Sequence, residues 1–360
     1  MCIRDRLYRL RELGFDVKLF DAGQDLGGVW HWNCYPGARV DSHVPNYEYS
    51  IEEVWRDWCW SERFPGWEEL RRYFAHVDEK LDLSRDIEFQ KQVVGATFDE
   101  ERCEWQVRCG DGELVRANFF LTCFGFAAKA NMPSLPGLDE FAGTAVHTAH
   151  WPQDGFDMTN KRVGVIGTGA SGVQVIQEAG KVAKQLTVFQ RTPMIALAMQ
   201  QRELARAEEQ AKKSHLKEVL RIRNASSGGF YDLTVDPRAA HEVGKDERDA
   251  VFEEAWAKGG FHFWTGTFSD IILNEQSNRL AYDFWREKVH SGFITRKSLR
   301  HWHRLNPRIP LAPNAHHLNS GTTRFSIKTT LPWLICTKSP SQKFMRLVFV
   351  RLIRVLILIC

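Results

Sequence analysis

Residues 163–172 read Val163-Gly164-Val165-Ile166-Gly167-Thr168-Gly169-Ala170-Ser171-Gly172, and Leu186-Thr187-Val188-Phe189 follows after one helix-length of chain. The first apolar run is predicted to be a buried parallel strand. It enters a G-x-G-x-x-G turn, a helix is expected from Ser171 to about Lys184, and the second run is a second strand. Strand, glycine turn, helix and strand in that order form a dinucleotide-binding β-α-β unit. Its glycines allow a tight turn and close backbone approach, and the helix N-terminus aims N–H groups and a positive dipole end at a pyrophosphate. Gln190 and Arg191 stand where an NAD-preferring site would place an acid. A guanidinium suits a ribose 2′-phosphate, so NADPH is the expected ligand; a solvated surface arginine is the plainer alternative.

Upstream, Leu7, Leu10 and Leu13 recur at helical spacing and Gly14 is a fitting stop. Asp16 to Phe20 is predicted to be a short buried strand with Asp21 at its end, where a carboxylate would bind ribose hydroxyls. A strand and a glycine turn should precede that helix. Met1 to Arg6 stand there instead, so the first β-strand and glycine turn of this unit are expected to be missing. The loop Gly27-Gly28-Val29-Trp30-His31-Trp32-Asn33-Cys34-Tyr35-Pro36-Gly37-Ala38-Arg39-Val40-Asp41 follows. Glycine pairs let backbone approach a cofactor and aromatics can wall a flat ring; an aromatic-rich surface loop is the alternative. Trp67, Leu70, Tyr73, Phe74, Val77 and Leu81 predict a core helix. Val93 to Ala117 alternates as a β-meander, and Phe119 to Cys123 reads as a buried strand. Beyond the glycine turn, Met199 to Ala225 and Phe252 to Val289 read as helices of an insertion, with the patch Phe261 to Phe268 as a lid or substrate wall.

A chain of 360 residues, 43% hydrophobic, can bury a large core and form about two domains. Its net charge of +3 hides an asymmetry: every acid lies at or before Glu287, and from Ser291 onward there are 12 Lys and Arg and no acid. The 8 cysteines show no C-x-x-C pair and no His/Cys cluster at zinc spacing, so no metal is expected and reduced thiols of a cytoplasmic protein are. Residues 344–360 are apolar but broken by Arg346, Arg351 and Arg354, too short and charged for a membrane span. No basic-aromatic pattern in the tail points to nucleic acid.

The segment before the glycine turn has the form F-x-G-x-x-x-H-x-x-x-W, with Phe141, Gly143, His147 and Trp151 at its fixed places. This string, the Gly27–Asp41 loop and Val188-Phe189-Gln190-Arg191-Thr192-Pro193 resemble the Baeyer–Villiger monooxygenases, class B flavoprotein monooxygenases, from about Leu7 to Val289. The resemblance implies an α/β fold with two Rossmann-like dinucleotide-binding domains, one for FAD and one for NADPH, and a helical insertion. It implies residues 1–150 as the FAD domain, 151–200 as the first half of the NADP domain and 201–290 as the insertion. In such enzymes NADPH reduces the flavin, O2 adds as a C4a-peroxide, and attack on a ketone yields an ester or lactone. Carried over by position, Asp21, Gly27, Gly28, Val29, Trp30, Trp32, Asp41, Tyr47 and Val93 would form the FAD site. Gly167, Thr168, Gly169, Ala170, Ser171, Gly172, Val173, Gln174, Arg191 and Thr192 would hold NADPH. Asp41 would also orient the family's catalytic arginine, and His147 would be a structural link between domains.

That arginine normally lies in a G-T-K-R-P-type segment after the insertion, and no such segment is present. Codons read across the residue boundaries of Pro307 to His316 admit one, so residues 291–360 are expected to be an aberrant tail produced by a reading-frame slip near residues 288–294. Such a tail should fold poorly. Two other functions stand beside the ketone reading. One is a flavin-containing monooxygenase oxidising nitrogen or sulfur, disfavoured by Trp151; the other is a non-catalytic fragment that at most binds NADP.

Overall fold

The computed structural model describes residues 2–123, 129–190, 194–226, 228–292 and 356–359. Helix α1 (Cys2–Glu12) ends before Gly14, which takes a left-handed φ of 82°. Strand β1 is shorter than predicted: only Leu19–Phe20 pairs, in parallel with β2 (Ile87–Glu88). Short helices α2 (Val29–Trp32) and α3 (Glu52–Trp55) precede the long helix α4 (Trp67–Leu81). The apolar face of α4, from Leu70 through Tyr73, Phe74 and Val77 to Leu81, is buried as its spacing requires. With Leu7, Leu19, Val40, Trp60 and Phe64 it makes the first core.

The meander forms as read. Strands β3 (Val93–Asp99), β4 (Glu104–Cys109) and β5 (Leu114–Ala117) pair antiparallel in order, crossing the turn at Gly110 to Gly112. The strand expected at Phe119 to Cys123 does not form, and Phe119 is 69% exposed. An apolar run becomes a buried strand only where a neighbour completes its ladder, and none of the described strands lies alongside it.

In the second unit, β6 (Ala145–His147) leads through a 3-10 turn to Trp151, and β7 (Arg162–Ile166) enters the glycine turn. Helix α5 (Ala170–Val182) follows, then β8 (Gln185–Phe189), parallel to β7 in unbroken register from Arg162 against Gln185 to Ile166 against Phe189. Of the tail beyond Gly292, only residues 356–359 are described. Leu356–Ile359 forms β9, parallel to both β6 and β7 and lying between them. A separate core gathers Cys34, Tyr35 and Ala38 of the upstream loop with Val146, Trp151, Val163, Val165, Val175 and Ala179.

Helices α6 (Arg206–Ala225), α7 (Lys245–Lys258), α8 (His262–Thr265) and α9 (Glu275–Gly292) make the insertion, with Phe252, Phe263, Phe268, Tyr282 and Trp285 in its own core. The helix expected from Met199 begins only at Arg206. Residues 199–204 are instead drawn into the first core, where Met199 and Leu204 are buried. Arg63 N–H donates to Arg202 O at 2.9 Å and Leu204 N–H to Ser61 O at 2.8 Å. The Gln201 amide accepts from Phe64 N–H and donates to Phe64 O, both at 3.0 Å. Arg223 of α6 is buried and donates to the carbonyls of Pro45, Asn46 and Glu48, which fastens the insertion to the segment after Asp41.

Candidate dinucleotide sites and the loop between them

The glycine turn has the geometry its sequence requires. Gly167 takes a φ of 105°, open to glycine and rarely to other residues, and its N–H donates to Phe189 O. Thr168 Oγ1 accepts from the Gln190 side chain at 3.0 Å. Gly169 is the N-cap of α5, no side chain caps that end, and a Cβ on Gly169 would meet nothing within 4 Å. The N–H groups of the first turn thus have no side-chain cap, and the space beside Gly169 is open, the form of an anion cradle. Arg191 and Thr192 lie outside the described residues.

What the sequence did not disclose is how tightly the Gly27–Asp41 loop is seated on α5. Tyr35 donates its hydroxyl hydrogen to Gln174 Oε1 at 2.9 Å, with Ser171 Oγ 3.1 Å from the Tyr35 hydroxyl oxygen, and Gln174 Nε2 donates to Arg39 O at 3.2 Å. Gly37 has a φ of 81°, and a Cβ there would sit 2.8 Å from Gln174 O. The predicted residues Val173 and Gln174 are thus both buried, Gln174 by the loop itself. Trp151 joins the same core, with its carbonyl 3.7 Å from the buried Cys34 thiol. Tyr35→Phe should leave the buried Gln174 oxygen without its donor and cost about 1–2 kcal/mol of stability, read by urea denaturation.

The expected FAD residues are spread along the loop and the first core. Asp21 accepts from Gly23 N–H at 2.8 Å, its N–H donates to Glu88 O, and its carbonyl accepts from Lys91 N–H two residues before Val93. Gly27 abuts His31, since a Cβ there would lie 2.7 Å from the His31 nitrogen. Gly28 caps α2, and Val29 and Trp32 of that helix are largely exposed. Trp30 donates its indole N–H to Tyr47 Oη at 2.7 Å, with the rings edge to face. Asp25 ties this corner together: it accepts from Gly27 N–H at 2.6 Å and from Arg71 at 2.5 Å, and lies 3.1 Å from His31 Nδ1. Burial pushes the Asp41 carboxyl up to about 6. A cleft lined by Arg39, Ser61, Glu62, Gln201, Arg202 and Leu204 lies nearby, but none of the predicted residues lines it.

In the fingerprint, Phe141 packs with Leu135, Leu138 and Ile166, and Gly143 is exposed. His147 Nδ1 accepts from Ala149 N–H at 3.1 Å, a capping role, and burial with His150 nearby lowers its pKa. Cys34, Cys59, Cys103, Cys109 and Cys123 are free thiols, of which Cys34 and Cys109 are buried. No described helix is long and apolar enough to cross a membrane.

The flavin-binding monooxygenase-like family model matches residues 10–202. Cyclopentanone 1,2-monooxygenase of Comamonas sp. (strain NCIMB 9872) is 46% identical over 284 residues, covering 79% of this chain and 52% of that protein. A phenazine N-monooxygenase of Lysobacter antibioticus is 38% identical over 288 residues, covering 79% of this chain and 52% of its own length. The solved structure of an oxidised steroid monooxygenase bound to NADP superposes with a TM-score of 0.79 at 36% identity, covering 88% of this chain and 63% of that one. The chain spans about half the length of the curated relatives it matches. These likenesses bear out the resemblance drawn from Phe141, Gly143, His147 and Trp151: the chain belongs to the flavin-binding monooxygenase-like family.

Proposed function

We propose that the protein is an FAD- and NADPH-dependent monooxygenase that inserts one oxygen of O2 beside a ketone carbonyl, giving an ester or lactone. The observation that carries this reading is the docking of the Gly27–Asp41 loop on α5 through Tyr35, Gly37 and Trp151. It sets the expected flavin loop directly against the expected NADPH turn.

The residues fit both groups. Open space before the uncapped N-terminus of α5 suits the NADPH pyrophosphate, held by the N–H groups of Ala170 and Ser171. Exposed Val29 and Trp32 beside Gly27 and Gly28 suit a flat ring that would cover them, with Asp21 on the ribose. When bound, NADPH supplies a hydride and FAD supplies the activation of O2. The chain's own part is to align the two, exclude water and place charge. Asp41 would contribute a carboxylate whose proton is exchangeable near neutral pH, and above about 6 it would present the negative charge that the family's catalytic arginine, absent from this sequence, would need. The free thiols support a reducing, cytoplasmic setting.

The phenazine N-monooxygenase relative favours a second reading, oxidation of an aromatic nitrogen. Both are tested by incubating the purified chain with FAD, removing excess and supplying NADPH with cyclopentanone or phenazine. Bound flavin by visible spectrum is the expected result, with ketone-dependent NADPH oxidation and lactone formation once the segment carrying the catalytic arginine is restored. N-oxide without lactone would favour the second reading. Absence of any retained flavin would overturn both and leave a nucleotide-binding fragment.

A further inference from the structure

We propose that His43, Asp232 and His262 bind one divalent transition-metal ion, Zn2+ by the character of the ligand set, which clips the segment after Asp41 to the helical insertion. The three come from separate places: the loop after Asp41, the segment between α6 and α7, and the first residue of α8. His43 and His262 are both 3% exposed. His43 Nε2 lies 2.8 Å and His262 Nε2 3.1 Å from the same oxygen, Asp232 Oδ2, and all three donor atoms fall within 4.8 Å of one another. Ligand atoms about 2.1 Å from a common tetrahedral ion are about 3.4 Å apart, so an ion would be accommodated by a shift of about half an ångström.

Hydrogen positions sharpen the case. His262 Nδ1 is 2.8 Å from Gly259 O, a group that only accepts, so that nitrogen carries the hydrogen. In the neutral ring Nε2 is then a lone pair, and it faces a carboxylate oxygen. Asn46 Oδ1 accepts from Tyr231 N–H, and an ion would displace the Asn46 Nδ2 that lies 3.0 Å from His43 Nε2. That ring nitrogen too faces Asp232 Oδ2. A lone pair aimed at a carboxylate oxygen needs an electrophile between them, and a cation placed there would also lie within reach of His43 Nε2. One dication satisfies all three groups, and the buried Asp232 Oδ1, which has no hydrogen-bond partner among the described residues, offers a further donor.

A ring N–H held by a backbone carbonyl, as at His262, is the usual support of a metal-bound imidazole. Two imidazoles and a carboxylate select Zn2+ and its transition-metal neighbours over Mg2+ or Ca2+. The rings of Phe64, Phe230 and Tyr231, with centroids 5.9–6.2 Å from His43, surround the site with apolar material. That suits an ion holding structure together.

The test uses the full chain, freed of any affinity tag and of metal by chelator and dialysis. Titration with Co2+ should develop a visible d–d band that saturates at one ion per chain, is displaced by Zn2+ and is unaffected by Mg2+. Zn2+ at about 100 times its Kd should raise Tm by about 5 °C. His262→Gln and Asp232→Asn, with wild-type circular dichroism, should lose both the band and the shift. No band in the wild-type protein, a band carrying thiolate charge transfer, or a Zn2+ shift that survives in both variants would overturn the proposal.

Discussion

Replacing Asp41 with Asn should stabilise this chain at pH 7 by on the order of 3 kcal/mol, and the gain should vanish below about pH 4. Burial is the cause: it lifts the carboxyl from 3.8 to about 6. Between those values the folded chain retains a proton that the unfolded chain releases. Stability therefore falls as pH rises through that window, and above it the buried charge costs its full amount. Asparagine keeps the shape without the charge. Urea denaturation of both proteins at pH 4 and pH 7 measures the difference, and equal stabilities at pH 7 would refute the assignment. A position that weakens the fold at neutral pH is a candidate for chemistry, since burial, neighbours and dipoles shift pKa values most where function needs them.

Gly37→Ala is expected to cost about 3 kcal/mol. A side chain at a φ of 81° is strained by about 1–2 kcal/mol, and the new Cβ would lie 2.8 Å from Gln174 O, so loop or helix must retreat. The lost stability is only part of the outcome. Because Gln174 is in the first turns of α5, the retreat should also loosen the nucleotide cradle and weaken NADP binding several-fold, as calorimetry would show. A variant destabilised this much with unchanged NADP affinity would disprove the coupling of loop and turn.

The parts of this molecule written in adjacent residues were readable. Gly167 to Gly172 between two apolar runs specifies its own turn, because strand, glycines and helix start are all local, and the register of β7 and β8 follows. The core face of α4 was legible for the same reason. Phe119 to Cys123 was misread because apolarity says only that a segment can be buried, while a strand needs a neighbour to complete its hydrogen bonds. Met199 to Ala205 was misread as helix because its partner, residues 61–64, is more than a hundred positions away. The trio of His43, Asp232 and His262 was beyond reach of spacing rules for a like reason: His43 and Asp232 are 189 residues apart. Tyr35 stood in view within its loop, yet nothing local indicated that its hydroxyl would find Ser171 and Gln174.

The pairing of residues 61–64 with 201–204 has a consequence for how the molecule comes apart. Met199 and Leu204 belong to the first core, while Leu197, two residues earlier, belongs to the insertion's. This stretch is a seam sewn into both bodies, without the slack of a tether. Opening one core must tug on the other, so melting should proceed as a concerted event across that boundary. The amides of Arg63 and Leu204 should then exchange with deuterium at the pace of the buried α4 ladder, far slower than surface loops of similar length.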